Sequence, residues 1–195
     1  MNWYQKSEGL IYAYGYNRLC RIAALGVGWV SLPVSASVAK KTIAFAKKIP
    51  DEMVMHKKED GKEDYGLELH PHITIKYGIK TDDEEKIQSI LDGQKGGTVH
   101  LGKIESFSHD DCDVLKIPVT GRSLHRLHKI LTDALKIEDK WPEYNPHITL
   151  AYLKKDKAKP YLGSTEFRGL TFDFDEIVFE DAEDHKTTIK LKPEE

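Results

Sequence analysis

PHITIKYG at residues 71–78 and PHITLAYL at residues 146–153 are two copies of one eight-residue phrase. Five positions are identical, pairing Pro71 with Pro146, His72 with His147, Ile73 with Ile148, Thr74 with Thr149 and Tyr77 with Tyr152, while Ile75 and Leu150 are alike in character. Internal similarity marks duplicated structural units, and this unit carries polar chemistry as well as an apolar pattern. Period-two alternation puts His72, Thr74 and Lys76 on one face of a strand and Ile73, Ile75 and Tyr77 on the other. In the second copy His147 and Thr149 share a face with Ala151, opposite Ile148, Leu150 and Tyr152. The aliphatic positions therefore face helices, and His and Thr face a groove. Pro71 and Pro146 suit strand beginnings, where a missing backbone donor is tolerated. A single His-x-Thr reads as an ordinary half-exposed strand, but packing alone gives no reason to keep both polar positions twice.

Outward from the two phrases, the chain alternates strands with two helical stretches. TDDEEKIQSIL reads as a helix, with Thr81 as N-cap, Glu84 at the capping-box spacing and an apolar stripe of Ile87, Ile90 and Leu91. After Gly121, Leu124, Leu127, Ile130, Leu131, Ala134 and Leu135 recur at three- and four-residue spacings and predict a second helix packed on a sheet. TIAFAKKIP at residues 42–50, TVHLGKIESF at 98–107, VLKIPV at 114–119, HITLAYL, LTFDFDEIVFE and HKTTIKL read as strands, with DAED closing a terminal hairpin. The expected fold is α+β and bilobal, with helices over antiparallel sheets and a central cleft.

The 195 residues suffice for one sizeable core, and 39% hydrophobic content supplies it. A formal charge of -3 gives no general attraction to nucleic-acid backbones, yet leaves room for a local basic patch around a small anionic ligand. Cys20 and Cys112 are the only cysteines, which excludes a four-cysteine zinc site and a disulfide framework; the reduced form is expected. Residues 22–39 form an uncharged run that follows Arg18 and Arg21. Its 18 residues reach only the low end of a spanning length, and Pro33 lowers its helicity. The expected division is therefore an amino-terminal extension over residues 1–39, packed or loosely attached rather than a signal or anchor, and a catalytic domain over residues 40–195. A cytoplasmic location follows, with export or membrane anchoring through the extension as the alternative.

Two imidazoles across one groove make an acid and base pair that needs no metal. Histidine with a pKa near 6.5 offers both proton acceptor and donor around neutrality. Thr74 and Thr149 beside them can donate to nonbridging phosphate oxygens as charge builds at phosphorus. Lys76 is a candidate to assist with phosphate charge, having only Ala151 as its counterpart.

The paired PHITIKY and PHITLAY segments resemble the two-histidine phosphoesterase superfamily over roughly residues 40–192. That resemblance implies a bilobal α+β fold with His72, Thr74, His147 and Thr149 at catalytic positions, no cofactor, and substrates among RNA cyclic phosphate ends, 2′-5′ oligonucleotides and cyclic nucleotides. The approach to the first motif, residues 48–79, is similar to a compact phage branch of anti-CBASS nucleases that destroy cyclic oligonucleotide messengers. It implies cleavage of 3′-5′ bonds in a cyclic di- or trinucleotide, in the host cytoplasm if the chain is phage-encoded. The alternatives are an RNA 2′,3′-cyclic phosphodiesterase or short 2′-5′ oligonucleotide phosphodiesterase, and a non-catalytic cyclic nucleotide-binding protein. No obligate protein partner is expected.

WPEYN, just before the second motif, offers Trp141 and Tyr144 as base-stacking groups and Glu143 to orient a histidine or read a base edge; core packing and solvation are the rival readings. HKKEDGKED at residues 56–64 reads as a solvated loop or as a cover over the cleft with His56, Lys57 or Lys58 reaching ligand. HDDCD with His100, and His125 with His128, hold metal-ligand residue types, but neither shows a converging set. Phosphate-binding and dinucleotide-binding glycine patterns are absent from the sequence, so ATP-dependent ligation and nicotinamide chemistry lack their usual machinery.

Overall fold

The computed structural model describes residues 27–56, 58–59, 62–63, 66–81, 83–137 and 143–193. Among them are the strands β1 (Gly28–Pro33), β2 (Lys58–Glu59), β3 (Lys62–Glu63), β4 (His72–Ile79), β5 (Gly97–Leu101), β6 (Glu105–Ser108), β7 (Cys112–Thr120), β8 (His147–Lys154), β9 (Thr171–Phe174), β10 (Glu176–Glu180) and β11 (Lys186–Lys190). Three helices of two or more turns, α1 (Ala36–Ala46), α2 (Glu84–Leu91) and α3 (Arg122–Leu135), lie between them. Nine strands form one sheet in the order β11-β10-β1-β4-β8-β7-β5-β9, with β6 added on β7, while β2 and β3 make a separate hairpin. Every pairing of named strands is antiparallel. The expected α+β architecture and the β10–β11 hairpin are thus present.

One face of this sheet is closed by the helices. α3 buries Leu124, Leu127 and Leu131 completely and packs on β4 and β5; Ala134, at the end of the expected stripe, is exposed. Ile73, Ile75, Ile148 and Leu150 join these leucines in one core, as the alternation requires. Its fully buried aliphatic side chains each contribute roughly 1.5–3 kcal/mol by leaving water.

The amino-terminal boundary is different from the expectation. β1 lies inside the sheet between β10 and β4, so residues 28–33 belong to the domain and not to an extension ending at residue 39. A charge-free run followed by Pro33 suits a strand with both faces covered, and Val30 and Leu32 are fully or almost fully buried. The stretch TIAFAKKIP is not a strand: residues 42–46 are the last turn of α1, and residues 47–50 leave it. Val38, Thr42, Phe45, Ala46 and Ile49 are the buried positions, a 3.6-residue period that overrides the short Ile43–Phe45 alternation, and Ala and Lys favour the helix. The cap of α2 also moves: Asp83 accepts from the Lys86 backbone N–H at 3.0 Å, while Thr81 accepts from the Asp83 N–H and shapes the approach. Residues 1–26, which include Arg18, Cys20 and Arg21, lie outside the described residues. Cys112 is a buried free thiol, and no helix among the described residues is long and apolar enough to cross a membrane.

Candidate active site

The two motifs meet where the sheet is pinched. β4 and β8 pair at Ile73 opposite Ile148, and antiparallel geometry then sets His72 across from Thr149 and Thr74 across from His147. Since both isoleucines point into the core, these four polar side chains occupy the other face, around a local two-fold axis. Beyond that crossing the strands part. β4 continues along β1, and β8 continues along β7. The free edge of β8 is taken by residues 54–55 and 66–68, through bonds such as Glu68 N–H to Leu150 O at 2.9 Å and Tyr152 N–H to Gly66 O at 2.8 Å. The result is an open groove between two lobes.

Each imidazole is held in the same way. His72 Nδ1 lies 3.0 Å from the His70 carbonyl, and His147 Nδ1 lies 2.9 Å from the Asn145 carbonyl. A carbonyl can only accept, so both Nδ1 atoms carry hydrogen. Edge-on aromatic rings brace both: Trp29 against His72 at 5.0 Å between centroids, and Phe107 against His147 at 5.2 Å. Glu68, itself buried, accepts from the His70 N–H at 2.7 Å and so shapes the turn that presents the His70 carbonyl.

The two sides differ in charge. Ser31 of β1 opposes Thr74, whereas Lys116 of β7 opposes Thr149. Lys116 is 6% exposed; its Nζ sits 4.0 Å above the centre of the Phe107 ring and 3.3 Å from Glu105 Oε2. Burial pulls His147 down to about 4, the nearby Lys116 charge acts in the same direction, and the Asn145 carbonyl opposes both. His147 is therefore neutral at pH 7. Neither Lys116 nor Phe107 was among the residues expected from sequence. A signal was present: Ser31-Leu32-Pro33 and Lys116-Ile117-Pro118 flank the two motif strands in matching register, with Pro33 opposite His72 and Pro118 opposite His147.

Other expected positions have different surroundings. Lys76 lies in β4 but is enclosed at 2% exposure, and the β1–β4 register shifts between Ser31–Thr74 and Val30–Lys76. That irregularity interrupts the alternation that was to carry Lys76 onto the motif face. Tyr144 is not free to stack a base: its ring stacks on His128 at 4.0 Å, meets His125 edge-on at 5.3 Å, and its hydroxyl donates to the Thr74 carbonyl at 2.9 Å. Burial raises its phenol above the ordinary range. His128 Nδ1 donates to the Ile75 carbonyl at 2.6 Å, so the stacked pair holds two successive carbonyls of β4 at the irregularity. Glu143 is exposed, and its backbone carbonyl accepts from Asn145 Nδ2 at 3.4 Å; the Asn145 carbonyl is what orients His147. Trp141 and Lys57 lie outside the described residues, and His56 bonds the Asp51 carboxylate at 2.9 Å.

Asp113 of the HDDCD turn accepts from the Ser108 hydroxyl and the Ala158 N–H, and His128 is engaged as above. Among the described residues no three His, Cys, Asp or Glu side chains gather in a way that could hold a metal ion.

Residues 44–186 match the family profile described as the 2′-5′ RNA ligase superfamily. Among solved structures, TT0787 of Thermus thermophilus is similar at 14% identity and a TM-score of 0.58, over 87% of this chain and 100% of that one. E. coli LigT complexed with 3′-AMP is similar at 16% identity and 0.54, over 86% and 95%, and Kluyveromyces marxianus Usb1 at 13% and 0.52, over 85% and 98%. No curated protein is significantly similar to the chain. At these identities the structures establish the shared fold.

Proposed function

The chain belongs to the 2′-5′ RNA ligase superfamily, and from that membership we propose that it is a metal-independent phosphodiesterase of the two-histidine type acting on RNA or short oligonucleotides with cyclic phosphate ends. The observation that carries the reading is the diagonal arrangement about Ile73 and Ile148, which gives each histidine a threonine of the other motif as its neighbour. In a 2′,3′-cyclic phosphate, His147 Nε2 takes a proton from water as the water oxygen bonds to phosphorus. One ester P–O bond breaks, and His72 Nε2 gives its proton to the departing ribose oxygen, leaving a monoester. The Thr74 and Thr149 hydroxyls donate to nonbridging oxygens during the attack. The depressed His147 supports its assignment as the base, because it begins neutral. That E. coli LigT has been crystallised with 3′-AMP and with phosphate supports a nucleotide with phosphate on its ribose as the class of ligand.

Opening of an intact cyclic di- or trinucleotide would use the same groups, with the neighbouring ribose 2′-OH in place of water. The family is described by 2′-5′ RNA ligation, and the LigT structures hold 3′-AMP or phosphate, so the messenger reading takes second place. Purified protein is given linear RNA ending in a 2′,3′-cyclic phosphate, short 2′-5′ oligomers, cyclic dinucleotides and trinucleotides, and deoxy analogues, with products identified by mass. Hydrolysis of the cyclic end is the expected result. Turnover confined to intact rings would replace this substrate assignment, and tight binding with no turnover of any of them would replace the enzyme reading by a binding protein.

A further inference from the structure

One register row crosses the second lobe and ends at the site. Glu105 of β6 opposes Lys116 of β7, and Lys116 opposes Thr149 of β8. Register partners share a face and stand about 4.5–5.5 Å apart between Cα atoms, so Glu105, Lys116 and Thr149 form a straight row across three strands. A lysine stem is long enough to swing its ammonium to either neighbour. Two residues further along β6, Phe107 lies under that ammonium and touches the edge of His147.

We propose that Lys116 is the phosphate-charge ligand of this site and that the Glu105 carboxylate occupies, in the ligand-free protein, the anion position that a substrate phosphate takes over. The proposal rests on the phosphodiesterase reading for its substrate, but its geometry stands independently. The carboxylate is the right stand-in, an anionic oxygen at 3.3 Å from Nζ, and it is displaceable because the Glu105 side chain is 56% exposed while that of Lys116 is 7% exposed. The ring of Phe107 holds the ammonium from one side, which keeps it near the groove when the carboxylate leaves. Ser31, at the matching position of the first lobe, has no charge to offer, so the reacting phosphate is drawn toward the Thr149 side. There the added negative charge also raises the proton affinity of His147 at the moment it must act as base.

The test uses inorganic phosphate and adenosine 3′-monophosphate as probes, with binding measured by calorimetry on the full chain. Lys116→Met should weaken both by about 10- to 100-fold, the range for one charge-assisted hydrogen bond. Glu105→Gln, an exposed change, should tighten both, and that gain should vanish in the double variant. A nuclear magnetic resonance titration should place the His147 midpoint higher in Lys116→Met than in the parent protein. Phosphate binding unchanged in both single variants, or a His147 midpoint unmoved by Lys116→Met, overturns the proposal. If the parent binds phosphate through Lys116 but hydrolyses no cyclic phosphate, the functional reading fails and the anion site stands; if the parent hydrolyses it and Lys116→Met does so equally well, the reverse holds.

Discussion

The Tyr144 hydroxyl donates to the Thr74 carbonyl across 2.9 Å, tying the loop that delivers His147 to the strand that carries the first motif. This bond joins the two halves of the site on the core side of the sheet. The stacked His128 ring bonds the next carbonyl, that of Ile75, so the irregular stretch of β4 is held from α3 and from the loop together.

Tyr144→Phe keeps the stacking and deletes only the donor. It should cost about 1–3 kcal/mol of stability, because the Thr74 carbonyl loses a buried partner. As Tyr144 positions Thr74 without touching substrate, kcat should fall while KM stays near its parent value. Denaturant unfolding and steady-state kinetics read the two effects; a raised KM with unchanged kcat would mean that the ring contacts substrate after all.

Alanine in place of His72 or His147 should lower turnover of a cyclic phosphate by about 10²–10⁴. Thr74→Val and Thr149→Val should each lose less, on the order of 10- to 100-fold, since each removes one hydrogen bond to a charged oxygen. A folded double histidine variant with near-parent turnover would refute acid and base catalysis by these residues.

The proton affinity of His147 carries a pH signature. Its folded value is lowered, by burial first, from the ordinary 6.5 to about 4, so folding favours the neutral ring. The stability this provides is complete above about 6.5 and is lost as pH falls toward 4, where the unfolded chain binds the extra proton. Unfolding midpoints at a series of pH values should drop through that window in the parent and drop less in His147→Gln. The acid limb of kcat/KM should likewise lie well below 6.5; a limb at 6.5 would show that His147 is not held neutral.

Exhaustive chelation should leave turnover intact, because proton transfer and phosphate charge are both assigned to side chains. Atomic absorption on the dialysed protein accompanies the assay. Activity that disappears and returns in proportion to one added divalent ion would move the mechanism to metal-assisted hydrolysis.

The repeated phrase alone determined the strand identity of both motifs, the opposed faces of their His-x-Thr and Ile positions, and the membership of His72, Thr74, His147 and Thr149 in one constellation; past those positions the register shifts, so that Lys76 leaves the motif face and Ala151 joins the main core while Tyr152 packs with Cys112 and Val114. Those properties depend on period-two alternation and on duplication, both of which are local in the chain. The stripe of Leu124, Leu127 and Leu131 similarly determined α3, because helix amphipathicity is written within a few turns. Residues 28–33 defeat a local reading for the opposite reason: a central strand covered on both faces has no alternation to show, and whether an apolar run lies in a sheet or outside it is settled by its neighbours β10 and β4. The tertiary structure also decided the electrostatics of the site. Lys116 lies 33 residues before Thr149 in the chain and meets it only through the pairing of β7 with β8. Tyr144 was drawn away from substrate by a carbonyl 70 residues distant. Register between strands far apart in sequence places charge and hydrogen bonds, and no local pattern encodes it.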